Sequence, residues 1–187
     1  MTATDGSNNV VDMTQVERVT VRLDSLMSDE QLLVAGGYSD VWSDILTSGD
    51  YNLGEPFTGE QEMIIVRADR FPKHGNIYAR EGVEIMKSYG FRPPTLRELL
   101  TFGCQNLPDK WLSKKDEIHD SWEGSTSKWY YVIGANLHYR VPNEPWYDSA
   151  PAIWSHSGRR GLTVAGMYNA MINAWPRNPH YLWVPCK

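Results

Sequence analysis

The sequence predicts an α+β domain in which helices pack on one side of small antiparallel sheets joined by long irregular loops. Three observations carry this. Val16–Leu23 alternates Val19, Val21 and Leu23 with Arg18, Thr20 and Arg22, the period of a half-buried strand. Ile77–Tyr89 and Leu96–Phe102 place apolar residues at helical spacing, and each is followed by glycine, Gly90 and Gly103. Trp129–Gly134, Ile153-Trp154, Leu162–Val164 and Tyr181–Val184 are aromatic or β-branched runs of strand length.

The elements follow in order. Met1–Asp12 is rich in Ser, Asn, Thr and Gly and reads as disordered. After the first strand, Ser28 is the expected N-cap of a short helix. Gln31, three residues on, completes a capping box, and Gly36-Gly37 supplies the stop. Ser39–Leu46 has Val41, Trp42, Ile45 and Leu46 at helical spacing. Tyr51–Gly59 is turn-rich, and Met63–Ala68 (MIIVRA) is the next strand. Phe91-Arg92-Pro93-Pro94 reads as extended, and Thr95 opens the helix that follows. Leu107–Ser127 is polar and turn-bearing, His138–Val141 is a further short strand, and Asn143–Pro151 is a loop. The last three strands are expected to be joined by long connections of the kind that carry function. The chain thus divides into a disordered 1–12, an N-terminal extension 13–61 packed on the main domain, and a main domain 62–187.

With 41% hydrophobic and 22% charged residues the chain falls among soluble globular proteins. No apolar run approaches a membrane span, and Met1–Val11 lacks the apolar core of a signal peptide. The expectation is therefore no membrane insertion, in a virion-associated or a cytoplasmic protein. A net charge of −5 and the lack of any nucleic-acid-binding motif argue against nucleic acid as partner. The charge is uneven. After Asp148 come Arg159, Arg160, Arg177 and Lys187 with no acid, whereas the rest holds 14 basic and 23 acidic residues.

The chemistry-bearing residues form no recognisable catalytic set. Cys104 and Cys186 are far apart, outside any CxxC pattern, and read as buried free thiols. His74, His119, His138, His156 and His180 lack metal-ligand spacing. No nucleophile elbow, HExxH, P-loop or dinucleotide fingerprint occurs. The sequence therefore reads as a binding protein rather than an enzyme, with no metal and no cofactor.

The stretch from about 153 to 187 stands apart. Large residues, among them Trp154, Leu162, Val164, Trp175, Tyr181 and Trp183, alternate with Ser, Thr, Asn, Gly, Ala, Pro, Arg and His. Fixed apolar anchors with small polar residues between them are a way to build a contact surface.

Two segments resemble a known family. Tyr89–Leu100 (YGFRPPTLRELL) resembles the G-[YF]-R-P-[AP]-T-L-x-E-L-L signature of small proteins with a C-type lectin fold. The tail resembles the end of the same proteins in Ile153-Trp154, Gly158–Leu162, Leu162-Thr163-Val164, Trp175 and Tyr181-Leu182-Trp183-Val184. These are the variable proteins of diversity-generating retroelements. The chain departs from their pattern at His180, where the family has Arg, and in a longer run between Val164 and Trp175. The resemblance covers roughly 67–187 and implies a C-type lectin-like fold whose variable face binds diverse macromolecular ligands, proteins above all. It also implies that diversified positions carry residues encoded by NNC codons, a set without Trp, Met, Lys, Glu or Gln. Between Ser155 and His180 every residue outside the anchors belongs to that set once Met167 and Met171 are counted as scaffold.

On this reading Thr163, Ala165, Gly166, Tyr168, Asn169, Asn173, Pro176, Arg177, Asn178 and His180 face solvent and form the ligand face. Trp154, Leu162, Val164, Trp175, Tyr181 and Trp183 are the scaffold anchors. Tyr168, Arg177 and His180 are expected to contribute most, as Tyr and Arg dominate contact hot spots. Two alternatives share the fold class. A calcium-dependent carbohydrate-binding module needs converging oxygen ligands. Asn143-Glu144-Pro145-Trp146 only echoes the family's motif for them, and Asp116–Asp120 reads better as a solvated charged turn. A relative of the formylglycine-generating enzymes needs a reactive cysteine pair, which Cys104 and Cys186 do not match in motif.

Overall fold

A computed structural model describes residues 11–24, 26–41, 58–67, 79–105, 118–119, 128–134, 139–140, 148–156, 159–166 and 180–186. The chain is a mixed α+β domain. Its elements in order are β1 (Glu17–Leu23), α1 (Asp29–Ala35), β2 (Asp40–Val41), β3 (Gly59–Arg67), α2 (Ala79–Ser88), β4 (Phe91–Arg92), α3 (Leu96–Gln105), β5 (Ile118–His119), β6 (Lys128–Gly134), β7 (Tyr139–Arg140), β8 (Asp148–His156), β9 (Arg159–Gly166) and β10 (His180–Pro185).

The N-terminal part is woven into the sheet. The hydrogen-bonded path runs β1-β3-β10-β6-β8-β9-β2, with β4 joined to β10, β5 to β6 and β7 to β8. Residues from the expected extension thus sit at both ends of the path, β1 on β3 and β2 on β9. Pairing is antiparallel as expected except at β10–β6 and β2–β9, which are parallel. α3 touches both β1 and β8. These lie four strand spacings apart, roughly 19 Å in a flat sheet. A ten-residue helix is roughly 15 Å long, so α3 lies across several strands of the sheet.

Helices cover both faces of the sheet, not one. Met63 and Ile65 of β3 join Val21, Leu23, Leu32, Ile153, Leu162, Leu182 and Val184 around Leu96, Leu99, Leu100 and Phe102 of α3. Ile64 and Val66 point the other way, into a second cluster with Val83 and Met86 of α2, Phe91, Ala150, Ala152, Tyr181 and Trp183. This is why Met63–Val66 and Tyr181–Val184 are unbroken apolar runs: strands covered on both faces cannot alternate. Each fully buried leucine of α3 contributes about 1.5–3 kcal/mol relative to exposure.

Local signals set several boundaries. α1 has the predicted capping box: the Gln31 N–H donates to Ser28 Oγ at 3.2 Å, and the Ser28 N–H donates to Gln31 Oε1 at 2.7 Å. Gly36 is its C-cap. Val11, assigned by composition to the disordered N-terminus, is buried in the second cluster, and Asp12 caps a 3₁₀ turn at Met13–Gln15.

Other boundaries moved. At the start of the helix expected over Ser39–Leu46, Asp40 and Val41 are strand residues, with partners in Gly161 and Leu162; residues 42–50 lie outside the described set. α3 continues past Gly103, whose lack of a side chain makes room for the Tyr38 hydroxyl and Ile153. Asn143–Pro151, expected as a loop, contributes Asp148–Pro151 to β8. Pro151 pairs with Val164 of β9, and on the other side of β8 the described pairs are those of β7 with Asp148 and Ser149 and of β6 with Ala152 to His156. β8 and β9 form a hairpin in which His156 pairs with Arg159, so a two-residue turn replaces the expected long connection.

At the far edge the Gln105 side chain acts as a short strand partner. Its Oε1 accepts the Arg22 N–H at 2.8 Å, and its Nε2 donates to the Arg22 carbonyl. A side-chain amide thereby covers part of an edge that would otherwise expose unpaired backbone groups.

Candidate functional site

The signature Gly90–Leu100 is built as a joint. Gly90, at φ +80, ends α2 in the left-handed conformation that glycine adopts without strain. Phe91 and Arg92 then pair with Pro185 and Val184 of the last strand. Thr95 caps α3: the Glu98 N–H donates to Thr95 Oγ1 at 3.2 Å, and the Thr95 N–H donates to Glu98 Oε2 at 2.7 Å. The same carboxylate takes both arms of Arg92, Nη1 to Oε2 at 2.9 Å and Nη2 to Oε1 at 2.8 Å. Arg97 reaches back to α1, donating to the Met27 carbonyl at 2.8 Å and to Asp29 Oδ1 at 2.9 Å. The polar residues of this motif make their hydrogen bonds inside the domain. The joint locks α3 to the C-terminal strand and to α1.

The C-terminal stretch enters and leaves through pinned strands. Trp154 pairs with Gly161 across the hairpin, and its indole lies where a Cβ at position 161 would be. A residue with no side chain thus lets the ring lie on the neighbouring strand. Trp154 and Leu162 are buried on one side of the 13-residue segment 167–179, and Tyr181 and Trp183 on the other. β10 lies between β3 and β6, where burial pushes the Tyr181 hydroxyl up to about 12.

Of the residues assigned to the ligand face, Thr163 is half-buried on β9, and Ala165 and Gly166 continue that strand. Tyr168, Asn169, Asn173, Pro176, Arg177 and Asn178 lie in 167–179, outside the described residues, as does the anchor Trp175. Val164 is placed on β9 by its pairing with Pro151.

His180 departs from its expected place. It was assigned to solvent, yet it is only 6% exposed. It opens β10 with Arg67 on one side and Val132 on the other, so strands flank it on both edges. It also stands on the wrong face to join Thr163. The row His180–Val132–Ile153–Leu162 shares one face, and Thr163, one residue beyond Leu162, belongs to the opposite one with Ala152 and Tyr181. The signal was present in the sequence: His180 is two and four residues before Leu182 and Val184, both buried.

The two cysteines differ. Cys104 is partly buried and its thiol donates to the Leu32 carbonyl at 3.0 Å, whereas Cys186, expected to be buried, is exposed next to the C-terminus. Burial pushes the Cys104 thiol up to about 11. Thiolate, not thiol, is the nucleophile, so a maleimide or disulfide reagent at pH 8 is expected to modify Cys186 at least ~100-fold faster than Cys104 in the folded protein. Mass mapping of the labelled peptides measures this; comparable rates would contradict the buried position of Cys104.

Among the described residues no group of three or more His, Cys, Asp or Glu side chains could hold a metal ion. Among them, too, no helix is long and apolar enough to cross a membrane. Comparison with protein-family models, with curated proteins and with solved structures finds no match in any of the three.

Proposed function

We propose that the chain is a ligand-binding display protein of C-type lectin-like fold, similar to the variable proteins of diversity-generating retroelements, whose C-terminal stretch binds protein targets. The observation that carries this reading is how 167–179 is inserted. β9 before it is held by Leu162 and by Trp154 lying on Gly161, and β10 after it has five consecutive buried residues, His180 to Val184. On this reading the residues of the segment other than Met167, Met171 and Trp175 change without altering the volume of the core, because the flanking strands are held independently of them. Core changes from large to small cost about 2–5 kcal/mol each, whereas surface changes usually stay within about 0.5 kcal/mol.

The composition of the segment supports the same division of roles. Its residues other than Met167, Met171 and Trp175 are Tyr, Asn, Ala, Ile, Pro and Arg, which NNC codons encode. The ligand face in this reading comprises Thr163, Ala165, Gly166, Tyr168, Asn169, Asn173, Pro176, Arg177 and Asn178, with His180 reassigned to the sheet. It performs no catalysis and needs no cofactor.

The test is a library with NNC codons at Tyr168, Asn169, Asn173, Arg177 and Asn178, displayed and panned against folded proteins. Most members are expected to unfold cooperatively within a few degrees of the parent, and panning should return binders specific to each target. A library that is largely unfolded would overturn the reading. So would a parent whose melting temperature rises with calcium and which is retained on a carbohydrate matrix, an outcome that favours a lectin module instead.

A further inference from the structure

We infer that residues 36–41 form a strap that opens ahead of the rest of the domain and bares the outer edge of β9. Its first residues are tied to α1 by the Gly36, Gly37 and Tyr38 N–H groups, which donate to the Leu32, Val34 and Leu33 carbonyls, and three features hold the rest closed. Among the described residues, β2 pairs Asp40 and Val41 with Gly161 and Leu162. Arg160 clasps the turn before it: Nη1 donates to the Gly36 carbonyl at 3.0 Å, and the Arg160 carbonyl accepts the Ser39 N–H at 2.9 Å and Ser39 Oγ at 3.2 Å. The Tyr38 ring occupies a slot between Gly36 and Gly103, where a Cβ at either position would collide with it.

Against these stands one uncompensated cost. Part of the Tyr38 side chain remains at the surface, but its hydroxyl is fully buried and has no hydrogen-bond partner. The neighbouring Cys104 thiol, which could have received it, instead points to the Leu32 carbonyl. A buried hydroxyl without a partner weakens the closed state, and opening the strap returns it to water. Gly37, at φ +66, provides a hinge at the start of the segment. An edge position, a glycine hinge and an unsatisfied buried polar group are the properties of a locally unfolding unit. The strap lies along the strand that carries Thr163, so its opening would bare the edge of a strand to which part of the ligand face is assigned. That consequence rests on the display reading, whereas the opening itself does not.

Amide hydrogen exchange followed by NMR separates the two. The Ser39 amide is expected to exchange at least ~100-fold faster than the Leu182 amide at the centre of the sheet; equal rates would overturn the inference, whatever the library experiment returns. Tyr38→Phe removes the hydroxyl and keeps the ring, and is expected to slow Ser39 exchange roughly fivefold or more. Faster exchange in that variant would mean the hydroxyl is bonded in the closed state, against the proposal. Arg160→Ala is expected to speed Ser39 exchange roughly fivefold with Leu182 unchanged; acceleration of both together would show that strap and sheet open as one.

Discussion

Glu98→Ala is expected to destabilise the domain by about 3–5 kcal/mol, the range for breaking a buried ion pair from one side. The carboxylate is the acceptor for both arms of Arg92 and for the Thr95 N–H, and the residue is 7% exposed. Alanine strands a half-buried guanidinium and leaves the Thr95 N–H without its acceptor at once, and because the groups share one carboxylate their losses are not additive. Glu98→Gln keeps an oxygen for the cap but cannot grip both arms of Arg92, so about 1–2 kcal/mol is expected there. Urea unfolding followed by circular dichroism measures both. A domain of this size has about 5–15 kcal/mol in total, so the alanine variant should lose a large share of its folded range. A loss below 1 kcal/mol would mean that the joint between α3 and the last strand is not the stabilising unit described above.

Trp183→Ala is expected to cost about 3–5 kcal/mol, as for other buried aromatic residues cut back to alanine. Trp183 is 2% exposed, pairs with Ile64 on β3 and packs in the cluster that receives Val83 and Met86 from α2. β10 is also the strand that joins β3 to β6. A cavity there loosens the element on which the two halves of the sheet meet. Thr163→Ala, at a half-buried position on β9, is expected to stay within about 0.5 kcal/mol. The contrast between the two variants, read from denaturation midpoints, tests the separation of anchors from substitutable positions. Similar costs for both would remove it.

How much could be read beforehand varied with the range of the interaction. The Ser28–Gln31 box, the glycine stops at Gly36 and Gly90, and the Thr95 start of α3 are relations within four residues, and the structure has them where the pattern placed them. The alternation in β1 likewise survived: Val21 and Leu23 are buried while Arg18, Thr20 and Arg22 are exposed. Of Ser39–Leu46, read as a helical stripe, Asp40 and Val41 instead pair as a strand, because Leu162, 121 residues on, supplied Val41 with a partner; the rest of that stripe lies outside the described residues. Gly103 misled for a related reason. It resembles a helix stop, but its purpose is to admit Tyr38 from another element. His180 was assigned by residue type, while its burial follows from where the strand sits.

Read alone, the sequence determined the α+β class, the caps, the positions of the apolar runs and the contrast in composition between the large residues of the C-terminal stretch and their smaller neighbours. All of these depend on residues near one another in the chain, where spacing translates directly into direction. Only the tertiary structure decided that β1 and β2 hold opposite edges of the sheet and that helices cover both of its faces. The same is true of Arg92 and Glu98 sharing one carboxylate fork, and of Thr163 and His180 lying on opposite sides. Those outcomes turn on which distant strands pair and in what register, and moving the pairing by one residue turns each side chain to the other face.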